Sequence, residues 1–302
     1  EALQRAVRGA PENAAIRVLL GRAWLAAAEP EKALLHLRLA VEIDPSDALG
    51  ARALIAAAEA GAAKLSPVFV RNLFDQYAER YDAEMQGALA YRAPEALRDL
   101  VRRVVTPLGA HSHGALEGGL DVLDLGCGTG LSGQAFRAFA RTLVGVDLSP
   151  NMAAKARRRM PPNQTTARGR IPARNTCCAP TGARGVYDRV VVGDMVSALH
   201  EAAAFDLVIA VDALGYVGDL APVFSSARIA LRHPGWFAAT VEQSAGADFI
   251  LGPARRFRHG AGYVRRTARA AGFDLLALEK TELRRDRGEP VAGLIFVLAR
   301  RN

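Results

Sequence analysis

The spacing of apolar residues divides the chain into two parts. Over residues 1–63 the apolar side chains recur at helical intervals, as at Leu34, Leu37 and Val41, and predict an all-α segment. From residue 64 to 302, short apolar runs alternate with helical patterns, which predicts an α/β domain with a mainly parallel sheet. The predicted strands lie near 120–125, 142–147, 189–193, 205–211, 235–241, 274–280 and 292–299, and the predicted helices near 67–85, 94–105, 129–140, 150–159, 195–203, 219–230 and 260–271.

A phrase is repeated within the helical segment. Pro11 and Pro45 lie 34 residues apart and open the similar phrases Pro-Glu-Asn-Ala and Pro-Ser-Asp-Ala. The phrase from Ala33 to Pro45 resembles the second helix of a tetratricopeptide repeat, which has a period of about 34 residues. An ordinary helical hairpin is the alternative. Because the chain begins at Glu1 inside a predicted helix and without a Met, we expect it to be trimmed.

One stretch fits neither spacing. Residues 160–183 are rich in Pro, Arg, Thr and Gly, have no apolar period, and interrupt a connection that is normally a few residues long. We expect a disordered insertion here and favour it over a basic lid on a ligand site. His111 and His113 lie in a similar loop and are expected to be solvated, because a metal site would need further ligands.

Composition and charge narrow the class of protein. Of the 302 residues, 50% are hydrophobic, yet no apolar run approaches the ~18 residues of a membrane span. The net charge of +8 is concentrated in residues 155–189, which hold nine Lys or Arg and one acidic residue, so a nucleic-acid groove is not indicated. The cysteines, Cys127, Cys177 and Cys178, lack metal-ligand spacing, and we expect a reducing cytoplasm.

The candidate chemistry follows the first predicted strand. Residues 121–130 place Asp124 before three glycines at alternate positions, from Gly126 to Gly130. Such glycines let the backbone turn sharply and approach a ligand closely. A dinucleotide fingerprint would need a glycine at Leu131, so an NAD-linked oxidoreductase is disfavoured. The turn resembles motif I of class I S-adenosylmethionine (SAM)-dependent methyltransferases.

The next strands also end in acidic residues. Asp147 lies 21 residues after Gly126, where a carboxylate can accept hydrogen bonds from both ribose hydroxyls. The resemblance implies that Asp194 faces the adenine amine and that the neighbouring Met195 packs on the ring. The strand that ends at Asp212 resembles the one whose end borders both the methionine of SAM and the methyl acceptor.

Three further segments point to a narrower group. Residues 74–82 resemble the segment that caps the cofactor pocket in many small class I methyltransferases, and residues 215–219 and 285–293 match the same group. The chain is thus similar to predicted methyltransferases with N-terminal tetratricopeptide repeats. This resemblance implies a Rossmann-like, seven-stranded sheet with an antiparallel last strand over residues 64–302, preceded by a repeat-like helical segment.

The resemblance also implies a set of residues that bind SAM. The glycine turn would receive the methionine end of the cofactor, the strand-end acids the ribose and adenine, and the capping segment would cover them. The expected cofactor-binding residues are Tyr77, Tyr81, Asp124, Gly126, Cys127, Gly128, Gly130, Asp147, Leu148, Asp194, Met195 and Asp212.

The implied reaction is displacement of the SAM methyl group by an acceptor, which gives S-adenosylhomocysteine (SAH). A general base is needed only if the acceptor arrives protonated, and no residue is singled out as catalytic. The acceptor is a small molecule or a protein, with a possible protein partner at the repeat-like helices. An interaction protein with a vestigial SAM domain is the alternative function. The side chains considered at the mouth of the site, besides Asp212, are Tyr216, Glu242, His259 and Tyr263.

Overall fold

The computed structural model describes residues 2–26, 29–62, 65–108, 116–161, 185–199, 202–252 and 254–302. Its contacts separate two compact units, Glu1–Ser66 and Pro67–Asn302. The expected insertion from residue 162 onward, the loop with His111 and His113, and Cys177 and Cys178 lie outside the described residues. No described helix is long and apolar enough to cross a membrane.

The first unit is built from helices. Gly21 lets two of them approach closely, because a Cβ at this position would lie 2.6 Å from Cγ of Leu37. The small core contains Val18, Ala33, Leu37, Ala40 and Ala51. The prediction of an N-terminal helical segment is confirmed, and its repeat-like character stays a prediction. The helices are α1 (Ala2–Gly9), α2 (Ala14–Ala26), α3 (Pro30–Ile43) and α4 (Ala51–Ala62), and α3 packs against both α2 and α4.

The second unit contains a mixed sheet flanked by helices. The strands are β1 (Leu120–Leu125), β2 (Ala140–Asp147), β3 (Arg189–Val192), β4 (Phe205–Ala210), β5 (Leu231–Gln243), β6 (Phe249–Leu251), β7 (Phe257–His259), β8 (Phe273–Asp286) and β9 (Glu289–Arg300). The helices are α5 (Pro67–Tyr77), α6 (Tyr81–Gln86), α7 (Ala93–Val105), α8 (Leu131–Phe136), α9 (Pro150–Arg158), α10 (Ala221–Ala230) and α11 (Ala261–Ala270).

The strand order sets the position of every strand end. Strands β3, β2, β1, β4 and β5 are neighbours in that order and run parallel. Strand β9 is antiparallel to both β5 and β8. The predicted mixed α/β sheet with an antiparallel last strand is confirmed. The carboxyl ends of β1 to β4 therefore meet at one edge, where open α/β sheets bind ligands.

Alternate residues of the central strands face two separate cores. All six residues of β1 are buried. Val122 packs with side chains of α7, α8 and α9, whereas Leu123 packs with side chains of α10 and α11. A strand covered on both faces must be apolar at nearly every position, which explains the continuous apolar runs in the sequence.

Two strands were not predicted, and two predicted helices differ from the observed ones. The short strands β6 and β7 extend the sheet beside β5 and are absent from the prediction, because three residues carry too little periodic signal. The helix predicted at 195–203 is, within the described residues, a 3-10 turn at Ser197–Leu199. There the Asp194 carboxylate accepts hydrogen bonds from the amides of Val196 and Ser197 and tightens the chain. The helix predicted at 129–140 begins only at Leu131.

Candidate functional site

A cavity of about 620 Å³, including its opening to solvent, lies at the carboxyl ends of β1 to β4. One wall comes from residues 67–86, which we call the lid segment. The cavity is lined by Val70, Phe74, Tyr81, Gly126, Gly128, Val146, Asp147, Leu148, Gly193, Asp194, Met195, Val211, Asp212, Ala213 and Tyr216.

The glycine turn after β1 forms the floor of the cavity. Gly126, Gly128 and Gly130 have φ angles of 69°, 53° and 97°, a region that side chains disfavour. A Cβ at Gly126 would lie 2.5 Å from Cβ of Ala213, so the turn touches the loop after β4. Next to the cavity, a Cβ at Gly128 would reach within 3.9 Å of the Tyr81 ring. The turn therefore offers bare backbone to a ligand.

Asp147 brings a carboxylate to the cavity at the end of β2. Its oxygens accept hydrogen bonds from the amides of Gly128 and Ser149, both at 2.8 Å. Burial desolvates this carboxylate and raises its pKa to about 6, although the two hydrogen bonds act in the opposite direction. A buried acid at a cavity wall, held by neutral amides alone, has the chemistry that a pair of ribose hydroxyls requires.

The lid segment is fastened to the domain by two carboxylates. Asp75 accepts hydrogen bonds from the Ser149 hydroxyl at 2.5 Å and from the Asn151 amide at 3.2 Å, at the start of α9. Asp82 accepts a hydrogen bond from the Thr129 hydroxyl at 2.5 Å and pairs with Arg159. Because Asp75 directly follows Phe74 and Asp82 directly follows Tyr81, these contacts hold both rings against the cavity.

A cluster of four charged side chains, which we call the charge ring, lies behind the loop after β4. Arg256 pairs with Asp212, and its Nε donates to Glu242 at 2.5 Å. Arg284 donates to Asp212 at 3.1 Å and to Glu242 at 2.5 Å. The charges thus alternate around a closed ring, and each of the four side chains is at most 12% exposed.

Tyr216 connects the charge ring to the cavity. Its hydroxyl oxygen accepts a hydrogen bond from Nη1 of Arg256 at 2.6 Å, and the same guanidinium lies over its ring at 4.8 Å from the ring centre. The Phe74 ring meets it edge-on at 5.1 Å between ring centres. Tyr216 therefore has one side fixed by protein charge and another facing the cavity wall.

Four of the residues expected to bind the cofactor do not line the cavity. Asp124 is fully buried behind the turn, where its Oδ2 accepts hydrogen bonds from Ser132 and Tyr187, both at 2.6 Å. Desolvation raises the pKa of Asp124 to about 6. The four residues are Tyr77, Asp124, Cys127 and Gly130.

The other three of these residues have structural contacts instead. The Tyr77 hydroxyl donates to Glu84 at 2.6 Å within the lid segment. Burial raises the pKa of the Cys127 thiol, so this residue packs as a small apolar group. Gly130 makes room for Tyr187, because a Cβ at Gly130 would lie 3.0 Å from that ring.

Of the side chains considered at the mouth of the site, only Tyr216 and Asp212 line the cavity. Glu242 belongs to the charge ring. His259 is buried with Nε2 at 3.0 Å from two backbone carbonyl oxygens, of Val217 and Gly218. Tyr263 donates to Asp219 at 2.9 Å and accepts from the amide of Leu220. His259 and Tyr263 therefore fasten the loop after β4 rather than face a substrate.

Several residues of the site were not singled out in the sequence. Val146, Val211 and Ala213 flank motif positions and could be inferred from them. Val70 lies outside the F-D-x-Y phrase of the lid segment, and Gly193 precedes Asp194. Arg256 and Arg284 reach the site from positions 44 and 72 residues after Asp212, and no motif pairs them with it.

A family model described as "Methyltransferase domain" matches residues 123–239, which include the glycine turn and the ends of β2, β3 and β4. No curated protein matches the chain. The matched residues cover the cavity floor and the three strand-end acids, Asp147, Asp194 and Asp212, and this is where the sequence motifs predicted the cofactor.

Solved structures share the fold at low identity. The 1,6-didemethyltoxoflavin-N1-methyltransferase of Burkholderia thailandensis, bound to 1,6-didemethyltoxoflavin and SAH, has a TM-score of 0.51 and 19% identity over 77% of this chain and 88% of its own. The magnesium protoporphyrin IX methyltransferase of Synechocystis PCC 6803, bound to SAH, has a TM-score of 0.52 and 15% identity over 78% and 100%.

A third structure shows that the fold alone does not fix the reaction. The cyclase SpnF has a TM-score of 0.54 and 19% identity over 77% of this chain and 95% of its own. The methyltransferase assignment therefore rests on the family match. The predictions of enzyme class and cofactor are confirmed, whereas membership of the group with tetratricopeptide repeats stays a prediction. The chain carries a SAM-dependent methyltransferase domain.

Proposed function

We propose that this chain transfers the methyl group of SAM to a small-molecule acceptor bound beneath the lid segment. The observation that carries the proposal is a cavity lined both by the strand-end acid Asp147 and by the aromatic rings Phe74, Tyr81 and Tyr216. When bound, SAM supplies a methyl group on a positively charged sulfur, and displacement by an acceptor lone pair leaves SAH. The chain itself has to align the acceptor and exclude water.

The cofactor is assigned to the part of the cavity between β1 and β3. The backbone of Gly126 and Gly128 would receive the methionine end, since both residues line the cavity and carry no side chain. Asp147 would accept the ribose hydroxyls. Asp194 and Met195 would contact the adenine, with Leu148 beside them, as the family resemblance implies.

A small molecule is favoured over a protein as acceptor. Phe74 and Tyr81 of the lid segment cover the cavity and are fastened by Asp75 and Asp82, which leaves little room for a folded partner. Two of the solved structures that share the fold are named for the methylation of flat, small molecules. The proposal also includes a cytoplasmic location and a protein partner at the N-terminal helices. A vestigial SAM domain has no support from the comparisons.

Cofactor binding is the first test. In calorimetry with SAH, we expect Asp147→Ala to weaken binding by at least about 100-fold, because two hydrogen bonds to a charged group contribute about 1.5–3 kcal/mol each. Gly128→Val should abolish binding, since φ at this position is 53° and the cavity lies beside it. Asp99→Ala, which removes a carboxylate that is 60% exposed, is the matched control. Absence of SAH binding by the natural chain would contradict the proposal.

The acceptor class is the second test. The protein is incubated with methyl-labelled SAM and cell extract separated into small-molecule, RNA and protein fractions. We expect label in the small-molecule fraction. Label confined to the protein fraction would overturn the small-molecule assignment while leaving the methyltransferase assignment intact.

A further inference from the structure

The strand order assigns an acceptor end to the cavity. With the ribose at the end of β2 and the adenine at the end of β3, the cofactor lies on one side of β1. The end of β4 lies on the other side, and Asp212, Ala213 and Tyr216 line the cavity there. This inference rests on the proposed function, because it takes the cofactor position from it.

The contact with Arg256 fixes the Tyr216 hydroxyl oxygen as a hydrogen-bond acceptor. Its oxygen accepts from Arg256, which is itself held by Asp212 and Glu242, so this guanidinium cannot turn away without breaking the charge ring. Among the described residues, no protein atom accepts the phenolic hydrogen of Tyr216. That hydrogen is therefore available to a bound molecule.

We propose that Tyr216 binds the methyl acceptor by donating its phenolic hydrogen to an oxygen or nitrogen of that molecule, and that Arg256 and the charge ring position it for this role. The acceptor would carry a carbonyl oxygen, an oxyanion or a ring nitrogen close to the atom that is methylated. Phe74, Tyr81 and Tyr216 surround this end of the cavity, and such rings pack well against a planar aromatic or heteroaromatic molecule.

Within the part of the chain that the structure describes, the acceptor end offers no free base. Burial alone would raise the pKa of Glu242, but the charges of Arg256 and Arg284 outweigh it and lower the pKa below the ordinary value. Asp212 accepts hydrogen bonds from the same two arginines. Burial raises the pKa of the Tyr216 hydroxyl, so this group is a neutral donor. The acceptor atom must therefore be unprotonated when it reacts.

The chemical step balances without a protein base. A lone pair of the acceptor nitrogen or oxygen forms the bond to the methyl carbon. The carbon–sulfur bond breaks, and its electron pair stays on sulfur, which becomes neutral. An anionic acceptor becomes neutral, and a protonated amine product would release its proton to solvent afterwards.

The test removes the Tyr216 hydroxyl and keeps its ring. Natural protein, Tyr216→Phe and Tyr91→Phe are saturated with SAH, mixed with the small-molecule fraction of cell extract and passed through a desalting column. Retained compounds are measured by mass spectrometry, and the Kd for SAH by calorimetry. Tyr91 is a matched control, because its hydroxyl lies in the field of the same Asp212, Arg256 and Arg284 charges but does not line the cavity.

We expect the natural protein and Tyr91→Phe to retain the same compound. Tyr216→Phe should retain at least about fivefold less, in line with one lost hydrogen bond, with its Kd for SAH changed less than about twofold. The label-transfer assay should show a higher half-saturating extract concentration for this variant. A second variant, Tyr216→His, keeps a donor, and we expect it to recover part of the retention.

Each outcome bears on one of the two proposals. Equal retention by Tyr216→Phe and the natural protein would overturn the role of Tyr216 and leave the proposed function standing. If the natural protein binds SAH but neither retains nor methylates any small molecule, the proposed function fails, and the role of Tyr216 fails with it.

Discussion

Asp147 and Asp212 are the same residue type at the same edge of the sheet, on the two sides of β1, yet their surroundings are opposite. Asp147 is held by the two neutral amides of Gly128 and Ser149. Asp212 is held by two arginines, in a left-handed backbone conformation with φ of 56°. A carboxylate held by amides keeps its capacity to bind a neutral ligand and its sensitivity to pH. A carboxylate inside a closed ring of charge instead builds a rigid wall.

The largest expected effect comes from opening the charge ring. In Glu242→Leu, the buried Arg256 and Arg284 both pair with the one remaining carboxylate of the ring, that of Asp212. Removal of one partner of a buried ion pair costs about 3–5 kcal/mol. We expect a loss of that size in the free energy of unfolding, measured by urea denaturation with circular dichroism.

The matched variant for this prediction is the double substitution Glu242→Leu with Arg284→Met. It leaves one arginine and one carboxylate, so the charges balance again, and more than half of the lost stability should return. Equal losses in the single and double variants would mean that shape, rather than charge, holds this wall together.

An intermediate effect is expected from protonation of Asp147. With a pKa of about 6, the carboxylate is ionised above that pH and protonated below it. Affinity for SAH should be constant above about pH 7 and fall about tenfold per pH unit below pH 6, because the protonated acid loses acceptor capacity. Calorimetry at pH 5, 6 and 7 measures this, and Asp147→Asn should give a weak but flat profile.

Without ligand, protonation of Asp147 has the opposite effect: it stabilises the fold. A folded-state pKa raised above the unfolded value near 3.8 means that the native chain binds the proton more tightly. The destabilisation caused by buried ionised Asp147 and Asp124 is thus fully present above about pH 6 and is relieved as the pH falls towards 4. If SAH affinity falls with pH while the free energy of unfolding rises, the loss of binding comes from the site and not from unfolding.

The smallest effect is expected at an exposed pair of the same chemistry. Arg103 donates to Glu279 at 2.9 Å, but their side chains are 62% and 45% exposed. Because water screens such a pair, Glu279→Gln should change the free energy of unfolding by less than about 1 kcal/mol. A loss as large as that of Glu242→Leu would show that burial does not explain the difference.

The two ends of the cavity also differ in how far the sequence predicts them. The strand patterns, the glycine turn and the spacing to Asp147 are local signals, and they predict the sheet and the cofactor side. Arg284 lies on β8, whose place depends on β9 inserting between β5 and β8, and Arg256 directly precedes β7, which pairs with β5. These pairings bring together residues 44 and 72 positions beyond Asp212. The sequence could not predict that Asp124 bonds Tyr187 instead of lining the cavity, because Tyr187 lies 63 residues further on.

Tyr187 has a consequence for how this sequence can change. Its ring fills the space that side chains at three glycines would need, since Cβ atoms at Gly130, Gly133 and Gly145 would lie 3.0, 2.4 and 2.9 Å from it. A mutation at any of these glycines is blocked while the tyrosine remains. At Gly133 the three nearest atoms all belong to the tyrosine, whereas Gly130 also has a positive φ and Gly145 also meets Cys127 Sγ at 2.9 Å. Relatives that replace the tyrosine with a small residue should therefore be free to carry alanine or serine at the position of Gly133, and these two sites are expected to covary during evolution.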